Sequence, residues 1–248
     1  MNHLRCPATR TKLHGSMGPA GRCQDTDVGV LLTREVRWFF PGDIPPSVHD
    51  WFTADGRRGE HERRVDYYDL ALASIGVGAK SRNVGSLETK LPLSSRDDVD
   101  LGGSARGCIE DWVKVSAPVA TPSTTTGPHV VAVHKNIVTR RHDLRSSSDD
   151  ATAVGYDVEL VSIRSGGLRA WSICVETFGG AEHRESAFRS GVAELLRDAP
   201  DDLALNGEWS CGYPTWIARY AASDLPTNSM GERRALDRDN GGAGANTR

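Results

Sequence analysis

The sequence predicts an α+β fold dominated by antiparallel strands, and three observations carry that prediction. Apolar stretches of strand length recur with charged residues on one alternating face. They are Glu35 and Arg37 in LLTREVRWFF, Lys80 and Arg82 in VGAKSR, Glu88 and Lys90 in SLETKL, Lys114 in DWVKVS, Asp157 and Glu159 in GYDVELVSI, and Glu176 in AWSICVETF. Side chains two apart on a strand share a face, so each pair points one way. Gly-containing breaks separate several of these stretches, most clearly Arg164–Gly167, whose Ser-Gly-Gly marks a hairpin. Helical spacing is confined to short segments, chiefly Ser186–Leu196, where Phe188, Val192, Leu195 and Leu196 recur at helical intervals.

Taken in order, residues 1–27 are rich in Gly, Pro, Arg and Thr without periodicity and read as a disordered leader. Residues 28–221 form one body, and 222–248 are a tail with too little apolar content to fold. Val28–Phe40 is a strand ending at Pro41-Gly42, and SVHDWF a short helical turn with Ser47 as its N-cap. GRRGEHERR reads as a charged loop and VDYYDL as a strand. Ile75–Arg82 and Ser86–Leu91 are strands joined at Asn83-Val84-Gly85. SSRDDVDLGGSARG is a loop, Ile109–Ser116 a strand, and APVATPSTTTGP a connector. HVVAVHKNIVTRRH is one long strand or a strand pair, followed by the loop SSSDDATAVG and the hairpin Tyr156–Ile163/Leu168–Phe178.

Composition bounds the function. With 25% charged residues and a net charge of −3, bulk electrostatic binding to nucleic acid is excluded, although a local basic pocket is not. The five cysteines have neither CxxC nor zinc-finger spacing, which predicts free thiols in a reducing, cytoplasmic setting. No secretory signal or membrane-length apolar run occurs, so a membrane partner is not expected. The oligomeric state, monomer or homodimer, is open. GxSxG, Walker-type and GxGxxG sequences are absent.

Alternating charge also arises on the wet face of any antiparallel sheet. Three details point further. Like-charged cations lie two apart or adjacent (Lys80/Arg82, Arg140/Arg141) and repel unless an anion sits between them. Carboxylates concentrate on the first strand and the last two, with cations dominating the middle. The opposite faces carry large apolar residues such as Val36, Trp38, Val158 and Leu160. A closed antiparallel barrel of about eight strands, packed against helices outside and filled with polar groups inside, produces this arrangement.

On these residues the chain resembles the CYTH superfamily, the triphosphate tunnel metalloenzymes, which includes thiamine triphosphatases, inorganic triphosphatases and class IV adenylyl cyclases. The family's Glu-x-Glu-x-Lys opening reads here Thr33-Arg34-Glu35-Val36-Arg37. Its later basic and acidic strands are matched by Lys80/Arg82, Glu88/Lys90, Lys114, Lys135 with Arg140, Asp157/Glu159 and Glu176, and WSCGYPTWIARY resembles its Ser-Tyr segment. The resemblance implies that Arg37, Lys80, Arg82, Lys90, Lys114, Lys135 and Arg140 bind the oxygens of a triphosphate. It implies that Glu35, Asp157, Glu159 and Glu176 bind Mg²⁺ or Mn²⁺, and that Glu176 or Glu159 orients the attacking water. Glu88 beside Lys90 reads instead as an ion pair, and WSCGYPTWI as a segment packed across one mouth. The expected activity is metal-dependent hydrolysis of an inorganic or organic triphosphate. The alternative is a non-catalytic polyphosphate or nucleotide binder, favoured by Thr33 standing where the family has Glu. An adenylyl-cyclase-like lyase ranks last, because no adenine contacts or base can be located.

Overall fold

The computed structural model describes residues 29–54, 59–82, 86–118, 129–145 and 153–220. The expected leader, tail, Pro/Thr-rich connector (but for Ala117 and Pro118, which end a strand), SSSDDATAVG loop (but for residues 153–155) and Asn83-Val84-Gly85 turn lie outside those residues. Eight strands run β1 Gly29–Pro41, β2 Glu60–Asp69, β3 Gly78–Arg82, β4 Ser86–Gly102, β5 Ala105–Pro118, β6 Val130–Arg145, β7 Val154–Ser165 and β8 Leu168–Phe178. The helices are α1 Pro46–Thr53, α2 Leu70–Ala73, α3 Arg184–Leu196 and α4 Tyr213–Arg219, with a 3₁₀ turn at Gly207–Trp209. Every strand pairing is antiparallel, and the order β1-β5-β4-β3-β2-β6-β7-β8 closes through β1–β8 pairing into a barrel.

The expected hairpin forms between β7 and β8, with Ser165 opposite Leu168 and Gly166 at φ +56°, a left-handed turn position suited to glycine. The stretch from Ser94 to Gly107, expected as a loop, is instead the paired extension of β4 and β5. It bends at register shifts between Pro92 and Ser94 and between Arg96 and Val99. Its β4 residues are largely exposed on both faces, so no apolar alternation marks it in sequence. The charged EHERR segment is likewise strand, the first half of β2 paired with β6 from Glu60↔Thr139 onward. Ser47 does not cap α1: Pro45 takes that position with Pro46 inside the first turn, and Ser47 Oγ instead donates to Asp202 Oδ2 at 2.7 Å.

Both faces of β1 are buried, which distinguishes a barrel from a half-solvated sheet. On the outside, Val36 and Trp38 join Val158, Leu160, Ile173 and Val175 under Phe188, Val192 and Leu195 of α3 and Val48 and Phe52 of α1. Gly191 lets α3 come this close, since a Cβ there would meet Val175 at 2.5 Å and Tyr156 at 3.0 Å. On the inside, one end of the barrel is apolar: Phe39, Tyr68, Val131, Val133, Val161, Ile163 and Ala170 pack around Trp216 and Ile217 of α4. Phe39 stacks on Trp216 at 4.8 Å between ring centres and meets Tyr213 edge-on at 5.0 Å. The segment read as packing across one mouth does so through these aromatics. Among the described residues, Cys108, Cys174 and Cys211 are free thiols, and no helix is long and apolar enough to cross a membrane.

Candidate functional site

Residues at alternate positions of each strand point inward, and contacts between non-neighbouring strands identify them. Lys90 on β4 reaches Glu35 on β1 at 2.7 Å and Glu176 on β8 at 3.0 Å, a span made only across the interior. Arg37 on β1 meets Glu159 on β7 at 2.9 Å. These groups are sequestered, with Arg37 3% and Glu35 2% exposed. A solvated sheet face would leave them open to water. Thr33, Glu35 and Arg37 therefore share the inner face with Lys90, Lys114, Asp157, Glu159 and Glu176.

The interior is divided by charge. On the β2–β3–β4 side, Glu88 contacts Lys80 at 2.7 Å, Arg82 at 3.0 Å and Lys114 at 3.4 Å. Asp66 contacts Lys135 at 2.7 Å, Arg64 at 3.2 Å, Arg82 at 3.7 Å and Lys80 at 3.8 Å. Five cations thus surround two carboxylates. On the β1–β5–β7–β8 side the ratio reverses, with Glu35, Glu110, Asp157, Glu159 and Glu176 around Arg37 and Lys90.

Protonation follows this division. Burial by itself would raise Asp66, but Lys135, Lys80 and Arg64 hold it well below the usual carboxylate range. Glu88, also opposed by burial, is brought to about 2 by Lys80, Lys114 and Arg82. Burial and neighbouring cations lower the ammonium of Lys135, although Asp66 works the other way. In the acidic half, burial tends to raise Glu176, while Lys90 and Lys114 bring it well below its ordinary value. Two carboxyls there go up. Asp157 reaches about 7 through burial and the nearby charges of Glu159 and Glu176, and Glu110 reaches about 7 through burial and Glu35, its cross-strand neighbour.

The deep end of the polar region is sealed by Tyr213 of α4. Its ring lies 3.6 Å from the Lys135 ammonium and 4.8 Å from the Arg37 guanidinium, so it touches both halves. Lys135 also donates to Asp66 and to Tyr68 Oη at 2.8 Å. It sits in the wall nearest the apolar plug, 3% exposed.

Arg140, expected among the substrate cations, points to the outer face. Its Nε donates to the Phe52 carbonyl at 2.9 Å and its Nη2 to the Trp51 carbonyl at 3.1 Å, tying α1 to β6. The inward positions of β6 share the parity of Lys135, so Arg141, opposite Asp157, is the arginine on the inner face. Glu88 is an ion-pairing residue as expected, but not with Lys90, which crosses to Glu35 and Glu176. The repulsion between Lys80 and Arg82 is relieved by Asp66 and Glu88, so protein carboxylates supply part of the anion their spacing demands.

Sequence reasoning missed Arg64, Asp66, Glu110 and Tyr213. Arg64-x-Asp66-x-Tyr68 and Glu110-x-Trp112-x-Lys114 both keep the period of two that marks the other strands, so the signal was available there. For Tyr213 only its place in a segment across the mouth was readable.

For a divalent cation, the donors present are hard carboxylate oxygens, and Asp157 Oδ1 is buried without a hydrogen-bond partner among the described residues. By donor type Asp157, Glu159, Glu176 and Glu35 fit Mg²⁺ or Mn²⁺. Among the described residues, however, no three His, Cys, Asp or Glu side chains already converge as ligands, because Lys90 and Arg37 hold three of these carboxylates. No family model matches the chain, and no curated protein matches it at a significant level.

Proposed function

We propose that the barrel interior binds the triphosphate group of a small molecule together with Mg²⁺ or Mn²⁺ and hydrolyses its terminal anhydride. The observation that carries this reading is the segregation of charge: a wall with cations in excess faces a wall with carboxylates in excess. A metal–polyphosphate complex has the matching polarity, with anionic oxygens on one side and a hard cation on the other. Arg82, Lys80 and Lys114 would exchange Glu88 for phosphate oxygens, the arginine in bidentate fashion and the lysines as point charges. Lys90 and Arg37, at the boundary, would turn from their carboxylates toward the same oxygens. That exchange leaves Glu35, Asp157, Glu159 and Glu176 to hold the metal, whose chemistry when bound is to polarise the terminal phosphoryl group and acidify a water. Glu176 or Glu159 would orient that water for in-line attack, and Tyr213 excludes bulk solvent from the deep end.

A second reading, a polyphosphate or nucleotide binder without turnover, is favoured by two observations. Thr33 supplies no carboxylate on β1, and Lys90 stands between Glu35 and Glu176. Incubation with inorganic triphosphate and Mn²⁺ separates the two. Phosphate release abolished by Glu176→Gln supports the hydrolase, and saturable binding without release supports the binder. Neither binding nor release refutes both.

A further inference from the structure

The outer wall of β2, β6 and β7 carries a group of side chains that the interior site does not use. On this face Arg63 is directly opposite Asn136, which is opposite Ser162; in the adjoining row Val65 is opposite His134, which is opposite Arg164. Neighbouring strands are about 5 Å apart, so these donors occupy a patch of the size spanned by two or three side chains. They line a depression of about 310 Å³. Arg63, His134, Asn136 and Arg164 are exposed there.

The chemistry of the patch is one-sided. Two guanidinium groups, an imidazole, an amide and a hydroxyl meet with no carboxylate in the depression. Among the described residues neither Arg63 nor Arg164 has an acidic partner within ion-pair distance. Several exposed arginines elsewhere do: Arg106 has Asp98, Arg141 has Asp143, Arg169 has Asp43 and Arg189 has Glu185. Arg169 is the strand neighbour of Arg164 and is already neutralised by Asp43, so it does not compete for a ligand. The half-buried Arg64 and the buried Lys135 also line the depression. The patch therefore has unneutralised planar donors spaced across three strands on a rigid sheet, a geometry suited to a compact tetrahedral oxyanion.

We infer that this depression is a second binding site, outside the barrel, for a phosphate-type dianion held by Arg63, Arg164 and His134 with Asn136 and Ser162 as neutral donors. The same chemistry is presented by free phosphate and by the monoester head group of phosphatidic acid. The site is independent of the interior reading.

The test follows the ring-proton resonances of His134 in the full-length protein, assigned by comparison with His134→Gln, while inorganic phosphate is titrated at constant ionic strength. A saturable shift is expected. In Arg63→Gln and Arg164→Gln the dissociation constant rises about tenfold or more, the worth of one charge-assisted bond. Both positions are exposed, so thermal unfolding of these variants stays within a few degrees of the parent. Vesicles with and without phosphatidic acid identify the source: sedimentation with the acidic vesicles alone, lost in the same variants, selects a lipid head group, and phosphate binding without sedimentation selects the free ion. A non-saturating shift matched by chloride, or an unchanged affinity in both arginine variants, overturns the inference.

Discussion

Replacing Lys90 by Met removes the one ammonium that bridges the acidic half of the barrel. Its contacts of 2.7 Å to Glu35 and 3.0 Å to Glu176 each carry roughly 5–6 kcal/mol of Coulomb attraction at an effective dielectric constant of about 20. Desolvation of three buried groups offsets much of this, and deleting one partner of such a cluster costs about 3–5 kcal/mol, because the carboxylates stay behind unpaired. Burial opposes charge on both sides: it lowers Lys90 while Glu176 and Glu35 raise it well above the lysine range, and it raises Glu176 while Lys90 brings it well down. The depressed Glu176 contributes stability above its unfolded value of 4.5 that is lost as pH falls through its folded value. The raised Lys90 contributes stability below 10.5 that is lost as pH climbs through its own. The cluster is thus intact across the neutral range. In Lys90→Met, Glu176, opposite Glu35 across β1 and β8, loses the cation that holds it down while its burial remains, and it takes up a proton on mild acidification. Urea unfolding should show the 3–5 kcal/mol loss at pH 8 and a visibly smaller loss at pH 5. A loss under about 1 kcal/mol at pH 8, or one that is equally large at both pH values, would refute the assignment of Lys90 to the interior.

Three further outcomes follow from the same geometry. Asp157, raised to about 7 from 3.8, weakens the fold progressively as pH rises between those values, so Asp157→Asn should gain at least about 1 kcal/mol at pH 8 and nothing at pH 4, measured by thermal melts. Arg140→Met should destabilise by about 1–3 kcal/mol through the freed Trp51 and Phe52 carbonyls, and leave triphosphate affinity by calorimetry unchanged, whereas Arg82→Gln should weaken that affinity about tenfold with a smaller effect on stability. Gly191→Ala gains helix propensity of about 1 kcal/mol yet should lower stability overall by about 1–2 kcal/mol, because its Cβ would strike Val175 and Tyr156.

The sequence-level reading succeeded where burial on one face contrasts sharply with charge on the other. In β1, β7 and β8 large apolar residues alternate with Glu and Arg, so both the element and its charged face could be read before any coordinates. It failed where that contrast is missing. The extension of β4 and β5 is exposed on the β4 side, and EHERR at the start of β2 has no apolar partner rhythm, so both look like loops until pairing is seen. Arg140 and Arg141 show a different limit. Adjacent residues on a strand point to opposite faces, and only the parity set by Lys135 decides which one enters the barrel. The partners of Lys90 and Glu88 were beyond reach for another reason: the pairs cross the interior, and sequence neighbours such as Glu88 and Lys90 compete poorly with a carboxylate brought from a distant strand. Asp66 escaped although VDYYDL read as a strand, because Arg64, its partner two residues back, fell in the segment that looked like a solvated charge run.

The aromatic plug formed by Tyr213, Trp216 and Phe39 fills one end of the barrel. On the proposed function, a molecule held in the interior would enter and leave by the opposite end, so departure of what is inside would have to precede arrival of the next. A long polymer could not thread such a site. Such a chain could be gripped only by its tip, one end at a time, with the remainder trailing in solvent.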